Sequence, residues 1–397
     1  MAFQNNIVPQ SPLQWLPIDI KIDVMEALDI TSLYALVTTC KDFYNIQKKY
    51  GGIILRTITT NALGDALPSA MALHAARLTE WVTELPAYSD DELVVLVHNF
   101  GRRYLNRNEI WINPQDFSFP MAWELISFHR IVEHFAEEFM EDTLSDTYLR
   151  NSRDNIILEP TSTEIARVQL TFYCMEISRE LLPFHVTGLN GGEGNELSWQ
   201  MLWHYFAPWE NRIAEEITDF LDKYLGNAIC QGSINMRQGD VVYNSWYAAT
   251  GLRGFDKLAD DEVVSLNTAD IETSPEVFRR KCYFAPGVSG FTWLRPVSGD
   301  LMVRSFNIDH LLATFPQKEN GACDNWYFTI VSEQHNPLYA DSELLPWETA
   351  WWDRARINTV FPGILPSIAE IQDMAEGNEY TGGIFEPDVD YCAEIGY

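Results

Sequence analysis

The stretch "LPIDIKIDVMEALDITSLYALVTTCKDFYNI", Leu16 to Ile46, decides how the chain is read. Pro17 has a fixed φ and no N–H to lose, which suits a turn or a first helical position. Ile20, Val24 and Leu28 follow at four-residue steps with Met25 beside them, the stripe of one short amphipathic helix. Asp19, Lys21, Asp23 and Glu26 lie mainly on its other faces. "LDITS" interrupts the pattern, with Asp29, Thr31 and Ser32 available as caps and Thr31 preferred. A second helix then carries Leu33, Leu36, Val37 and Cys40, continuing to Phe43 and Tyr44. Roughly forty residues are too few for a self-sufficient core, so this unit must rest on the remainder of the chain or on another protein.

The rest of the sequence bounds that choice. The chain has 397 residues, 46% of them hydrophobic and 21% charged, with 13 Trp, 17 Tyr and 21 Phe: a globular composition with room for two or three domains. Its net charge of −30 opposes binding to nucleic acid or to anionic membrane, and is read first as a solvated surface. "MAFQNNIVPQ" has no basic or long apolar stretch of a secretory signal, and "LVVLVHNF" from Leu93 is far too short to cross a bilayer. Cys40, Cys174, Cys230, Cys282, Cys323 and Cys392 are scattered with no C-x-x-C pair, which points to reduced thiols in the cytoplasm or nucleus and to no zinc.

The expected fold class is mainly α. Residues 1–10 are expected to be flexible, 11–50 to form the opening helical unit, 51–225 a helical domain, and 226–397 an aromatic, loop-rich α+β region with an acidic tail. Gly51-Gly52 reads as a break, and the alternation of Ile53–Thr60 leaves a short strand open. Helices are expected over Ala66–Leu85, Asp90–Leu105, Met121–Glu141, Thr163–Leu182 and Leu197–Tyr224, the last broken at Pro208. "LNGGEGNE" from Leu189 reads as a linker. "KCYFAP", "GFTWLRP" and "NWYFTIVS" read as loops or short strands, and Pro346–Asn358 as an aromatic helix. No repeat of 20 to 50 residues is present.

The opening pattern resembles the F-box. The positions that carry the resemblance are Leu16, Pro17, Ile20, Val24, Met25, Leu28, Ser32, Leu33, Leu36, Val37, Cys40 and Phe43; a Trp often closes that motif, where Tyr50 stands here. Membership would imply that these apolar positions pack partly inside the unit and partly into a groove of a Skp-type linker, which in turn holds the cullin of an SCF ubiquitin ligase. It would make the chain a non-catalytic subunit, with Leu16, Pro17, Ile20, Val24, Leu28, Leu33 and Leu36 the main docking residues and the C-terminal part holding a target protein. A second segment is similar to the helical region of many filamentous-fungal F-box proteins, through Arg167, Gln169, Tyr173, Pro208, Trp209, Glu210 and Glu216. Trp209 reads as a buried anchor, and Glu210 as a residue that starts the following helix at its positive end.

Catalytic patterns do not emerge. "FHRIVEHFAEEF" sets His129 with Glu133 and His134 with Glu138 at i,i+4, a row better explained by solvated ion pairs than by metal ligation. "GLNGGEGNE" lacks the Lys of a phosphate loop, "GVSG" at Gly287 is no nucleophile elbow, and Asp309, His310 and His335 could join a triad only through their placement in the fold, a structural role being preferred for each His. No cofactor or metal is expected. Trp347, Trp351 and Arg354 share one helical face and form a candidate target-binding patch, although a core role for the Trp is preferred. A non-ligase scaffold or interaction protein, in which the unit binds the linker without a cullin or binds something else, is the alternative, then a hydrolase or metal enzyme in the C-terminal half.

Overall fold

A computed structural model describes residues 12–79, 90–105, 113, 117–145, 159–182, 196–230, 251–259, 313, 315, 319, 321–335, 349–367 and 369–370. These are mainly helical, with no strand among them. The chain divides into two compact units: residues 1–67 with 110–130, and residues 68–109 with 131–397.

In the first unit a 3-10 turn, Pro12–Trp15, leads into Leu16-Pro17. Pro17, at φ −53°, immediately precedes α1 (Ile18–Glu26), and its carbonyl accepts from Lys21 N at 3.0 Å. The cap of α2 (Ile30–Thr39) is Asp29, not Thr31. One Asp29 oxygen accepts from Thr31 N and Ser32 N, both at 2.9 Å, and the other accepts from the Ser32 hydroxyl at 2.6 Å. A carboxylate satisfies both amides and places its charge at the positive helix end, which a Thr hydroxyl does not. These bonds, led by that from the Ser32 side chain, hold the Asp29 carboxyl below its ordinary range. The cap therefore contributes fully above that range and is lost as pH falls through it. Asp29→Ala should cost about 1 kcal/mol at pH 7 and little in acid. Asp29→Asn should hold stability near neutrality while removing this pH dependence, as thermal melts at several pH values will show.

Helix α3 (Lys41–Leu63) overturns the expected break and strand, because it runs straight through Gly51-Gly52 and through Ile53–Thr60. Its buried Phe43, Ile46, Ile54, Leu55, Ile58, Thr59 and Leu63 keep three- and four-residue spacing, and burial of that face outweighs the β preference of the Ile and Thr run. The Thr hydroxyls turn back onto the helix, Thr59 Oγ1 donating to Leu55 O at 2.7 Å. The helix ends at Gly64, whose φ of 51° disfavours any residue with a Cβ. Lys21, almost fully buried, fastens α1 to α3 through Asp42 at 3.3 Å. The ring of Phe119, at the start of α6 (Phe119–Ser145), meets Tyr34 edge-on at 5.6 Å between centroids. The boundary expected at residue 50 thus falls inside a helix.

The second unit holds α4 (Leu67–Arg77) from Pro68 on, α5 (Asp90–Phe100) with a π-helical turn over Gly101–Leu105, and α6 beyond residue 130. It continues with α7 (Ser162–Leu181), α8 (Glu196–Trp203), α9 (Pro208–Cys230), α10 (Leu252–Ala259), α11 (Gly321–His335) and α12 (Arg354–Val360). Helix α5 packs on α8, and α9 packs on both α7 and α11. Edge-on aromatic contacts fill the core, among them Phe139 with Phe220 at 5.7 Å and Phe135 with Phe255 at 6.2 Å. Gly101 is required by a close approach: a Cβ there would lie 2.2 Å from the ring of Tyr205, whose hydroxyl meets His98 Nδ1 at 2.8 Å.

Several expectations for the second half are corrected. "NWYFTIVS" lies within α11, because a short apolar run fits a buried helix as well as a strand and the Glu319 carboxylate caps this one through Gly321 N at 2.9 Å. The aromatic helix expected over Pro346–Asn358 begins only at Arg354; Trp351 and Trp352 occupy the turn before it. Helix α9 crosses the boundary expected at residue 225. Residues 1–10, the linker at 189–195, "KCYFAP", "GFTWLRP", "GVSG" and the acidic tail lie outside the described residues.

Candidate functional site

The twelve resemblance positions separate into two classes. Met25, Leu33, Val37 and Phe43 are buried, Met25, Leu33 and Phe43 completely so. They fill the interior of the unit, the part the resemblance assigns to some of these positions; Leu33, expected among the main docking residues, is enclosed there with Met25, Val37 and Phe43. Leu16, Val24, Leu28, Ser32, Leu36 and Cys40 are half-buried, and Pro17 and Ile20 are exposed. The open positions therefore cluster at the entry to α1.

That cluster is larger than the motif suggests. Trp15 is 75% exposed, Ile18 51% and Leu13 44%, beside Ile20 at 41%. The 3-10 turn and the Leu16-Pro17 step bring Leu13, Trp15 and Ile18 to the surface within six residues, where each withholds apolar area from burial. Singly exposed apolar side chains are ordinary, whereas four within eight residues, one of them a Trp, make this stretch a candidate interaction surface. The sequence signal for Trp15 and Ile18 was their place on either side of Leu-Pro, outside the periodic stripe.

The other candidates are interior. Trp351 is fully buried against Phe139 at 6.1 Å, and Trp347 lies outside the described residues. Arg354 pairs with Asp324 and donates to Pro366 O at 2.5 Å, so it fastens chain segments instead of presenting a free cation. Of the positions in the second resemblance, Arg167, Tyr173, Pro208, Trp209 and Glu210 are buried, while Gln169 and Glu216 are half-buried. Glu210 accepts from Ala207 N at 2.7 Å, in the role expected of it at the start of α9.

The densest polar cluster ties α7 to the segment before and within α12. Glu164 forms a capping box with Thr161, and its two oxygens take a bidentate contact from Arg356, each at 2.8 Å. Arg167 donates to Trp351 O at 2.6 Å and to Asp353 Oδ1 and Glu319 Oε2, both at 3.3 Å. The Thr161 and Thr163 hydroxyls both donate to Asp353 Oδ2 at 2.5 Å. Burial, with Asp353 nearby, pushes the Glu319 carboxyl above its ordinary value. Burial also raises Asp353, but its hydrogen bonds and Arg167 outweigh that and hold it low. The surrounding donors are spent on fold contacts, so this cluster is a fastening and not a reactive centre.

The histidine row gives no metal site. His134 meets Glu138 at 3.7 Å, both half-buried, whereas His129 is buried, its imidazole held by burial at about 4 and therefore neutral at pH 7. Among the described residues no group of His, Cys, Asp and Glu could hold a metal ion, and no helix is long and apolar enough to cross a membrane. No protein-family model matches the chain, no curated protein matches its sequence, and no solved structure matches its fold.

Proposed function

We propose that the chain is a substrate-recruiting subunit of an SCF-type ubiquitin ligase, docking on a Skp-type linker through the surface around Leu16, Pro17 and Ile20. The observation that carries this reading is the separation just described: the same motif supplies a closed interior from Met25, Leu33, Val37 and Phe43, and an open apolar edge before and along α1. An amphipathic helix of this kind fits an apolar groove of another protein. The chain makes and breaks no bonds itself. It raises the effective concentration of target lysines near the loaded conjugating enzyme, and that proximity supplies the rate.

Co-purification from cells tests the assembly. The wild-type chain is expected to bring down both a Skp-type linker and a cullin, and Leu16→Ala with Pro17→Ala to bring down neither. Capture of the linker without a cullin would identify a scaffold instead of a ligase subunit.

A further inference from the structure

Charge is spread unevenly along this acidic chain. Against a net −30 overall, residues 12–67 hold five basic side chains and six acidic ones. One of the five, Lys21, is buried against Asp42. The other four, Lys41, Lys48, Lys49 and Arg56, are exposed on α3 with no ion-pair partner among the described residues, Lys49 lying 4.9 Å over the ring of Tyr50. Carboxylates outnumber cations 57 to 27 in the chain, so four neighbouring cations without one stand out.

At 100° per residue these four fall within an arc of about 100° along roughly 22 Å of helix. Two exposed apolar side chains flank the arc, Tyr44 on one side (54% exposed) and Ile53 on the other (52%), with Asp42, paired to Lys21, between the arc and Ile53. We propose that this face of α3 is a docking stripe for an acidic polypeptide segment that also carries apolar side chains.

The chemistry selects that occupant. Fields at physiological ionic strength decay over about 8 Å, so a short peptide lying along this arc of α3 senses its four cations most strongly. A nucleic-acid duplex, with one charge per ~1.7 Å, would bring far more charge than four cations can match, and Tyr44 and Ile53 would have no role against phosphate. An acidic helix with apolar residues uses every member of the stripe. The proposal stands independently of the linker surface at α1.

The probe is a fluorescent helical peptide about 16 residues long, Glu-rich with Leu at every fourth position, titrated by anisotropy against the full-length protein. Wild-type protein is expected to bind it, about tenfold more tightly at 50 than at 150 mM salt. Neutralising Lys41, Lys48, Lys49 and Arg56 to Gln should weaken binding at least about tenfold and flatten the salt dependence. Tyr44→Ala with Ile53→Ala should weaken it a fewfold with the salt dependence intact. The same charge change made at exposed Arg102, Arg103, Lys223 and Lys257 should leave affinity as in wild type. Circular dichroism melts that match wild type confirm that each variant is folded. Equal weakening by both sets of Gln substitutions, no binding at 50 mM salt, or tighter binding of a short DNA duplex than of the peptide would each overturn the proposal.

Discussion

Glu164→Ala is expected to destabilise the second unit by about 3–5 kcal/mol, because it strands a buried cation. Glu164 is fully buried and Arg356 only 4% exposed, so the guanidinium cannot turn to water when its carboxylate is removed. The same substitution deletes the capping box of α7 and the bond from Asp353 N at 2.8 Å, which belongs to the segment leading into α12. Glu164→Gln keeps the shape and some of these bonds and should cost less. Adding Arg356→Met to Glu164→Ala should recover much of the loss, since the stranded charge and not the lost pair carries most of it. Denaturant unfolding of the single and double variants measures this, and a double variant as unstable as Glu164→Ala would contradict it.

Phe43→Ala is expected to cost about 3–5 kcal/mol in the first unit, and Leu33→Ala about 2–5 kcal/mol. Both side chains are fully buried, so truncation leaves cavities in a small core with little else to spare. Ile20→Ala and Trp15→Ala, at exposed positions, should change stability within about 0.5 kcal/mol. Hydrogen exchange confined to residues 12–67 separates the two groups. Protection lost in Phe43→Ala and retained in Trp15→Ala is the expected result. If Phe43→Ala leaves protection unchanged, the interior assigned to this unit is wrong.

Much of the helical plan could be read from the sequence. The starts of α5, α6, α7 and α9 were legible because apolar periodicity coincided with local stop and start signals, such as Pro208 at the first position of α9. What failed did so where local preference opposed burial. The β-branched run after Gly51-Gly52 looked like a strand, yet its apolar residues complete the buried face of α3. "NWYFTIVS" offered no period of its own, and its helix depends on a cap from Glu319, just ahead of it in sequence.

The candidate surface was half legible. Periodicity placed Leu33 in the same stripe as Leu36, but the stripe cannot say which of its members a third helix will cover, and α3 leaves Leu33 no exposure. Conversely Trp15 and Ile18 fall outside any stripe, and only the 3-10 turn before Pro17 shows them facing solvent. The Glu164–Arg356 pairing spans 192 residues and had no sequence signature at all.

Docking on a Skp-type linker requires the apolar edge at α1 to be open to another polypeptide. Calorimetric titration of the purified full-length chain with a purified Skp-type linker tests this most directly, comparing wild type with a Trp15→Ala, Ile18→Ala, Ile20→Ala variant of unchanged melting temperature. Loss of two or more buried anchors predicts at least about a hundredfold weaker binding. Wild-type affinity in the variant, or no binding by the wild-type chain, would contradict the account.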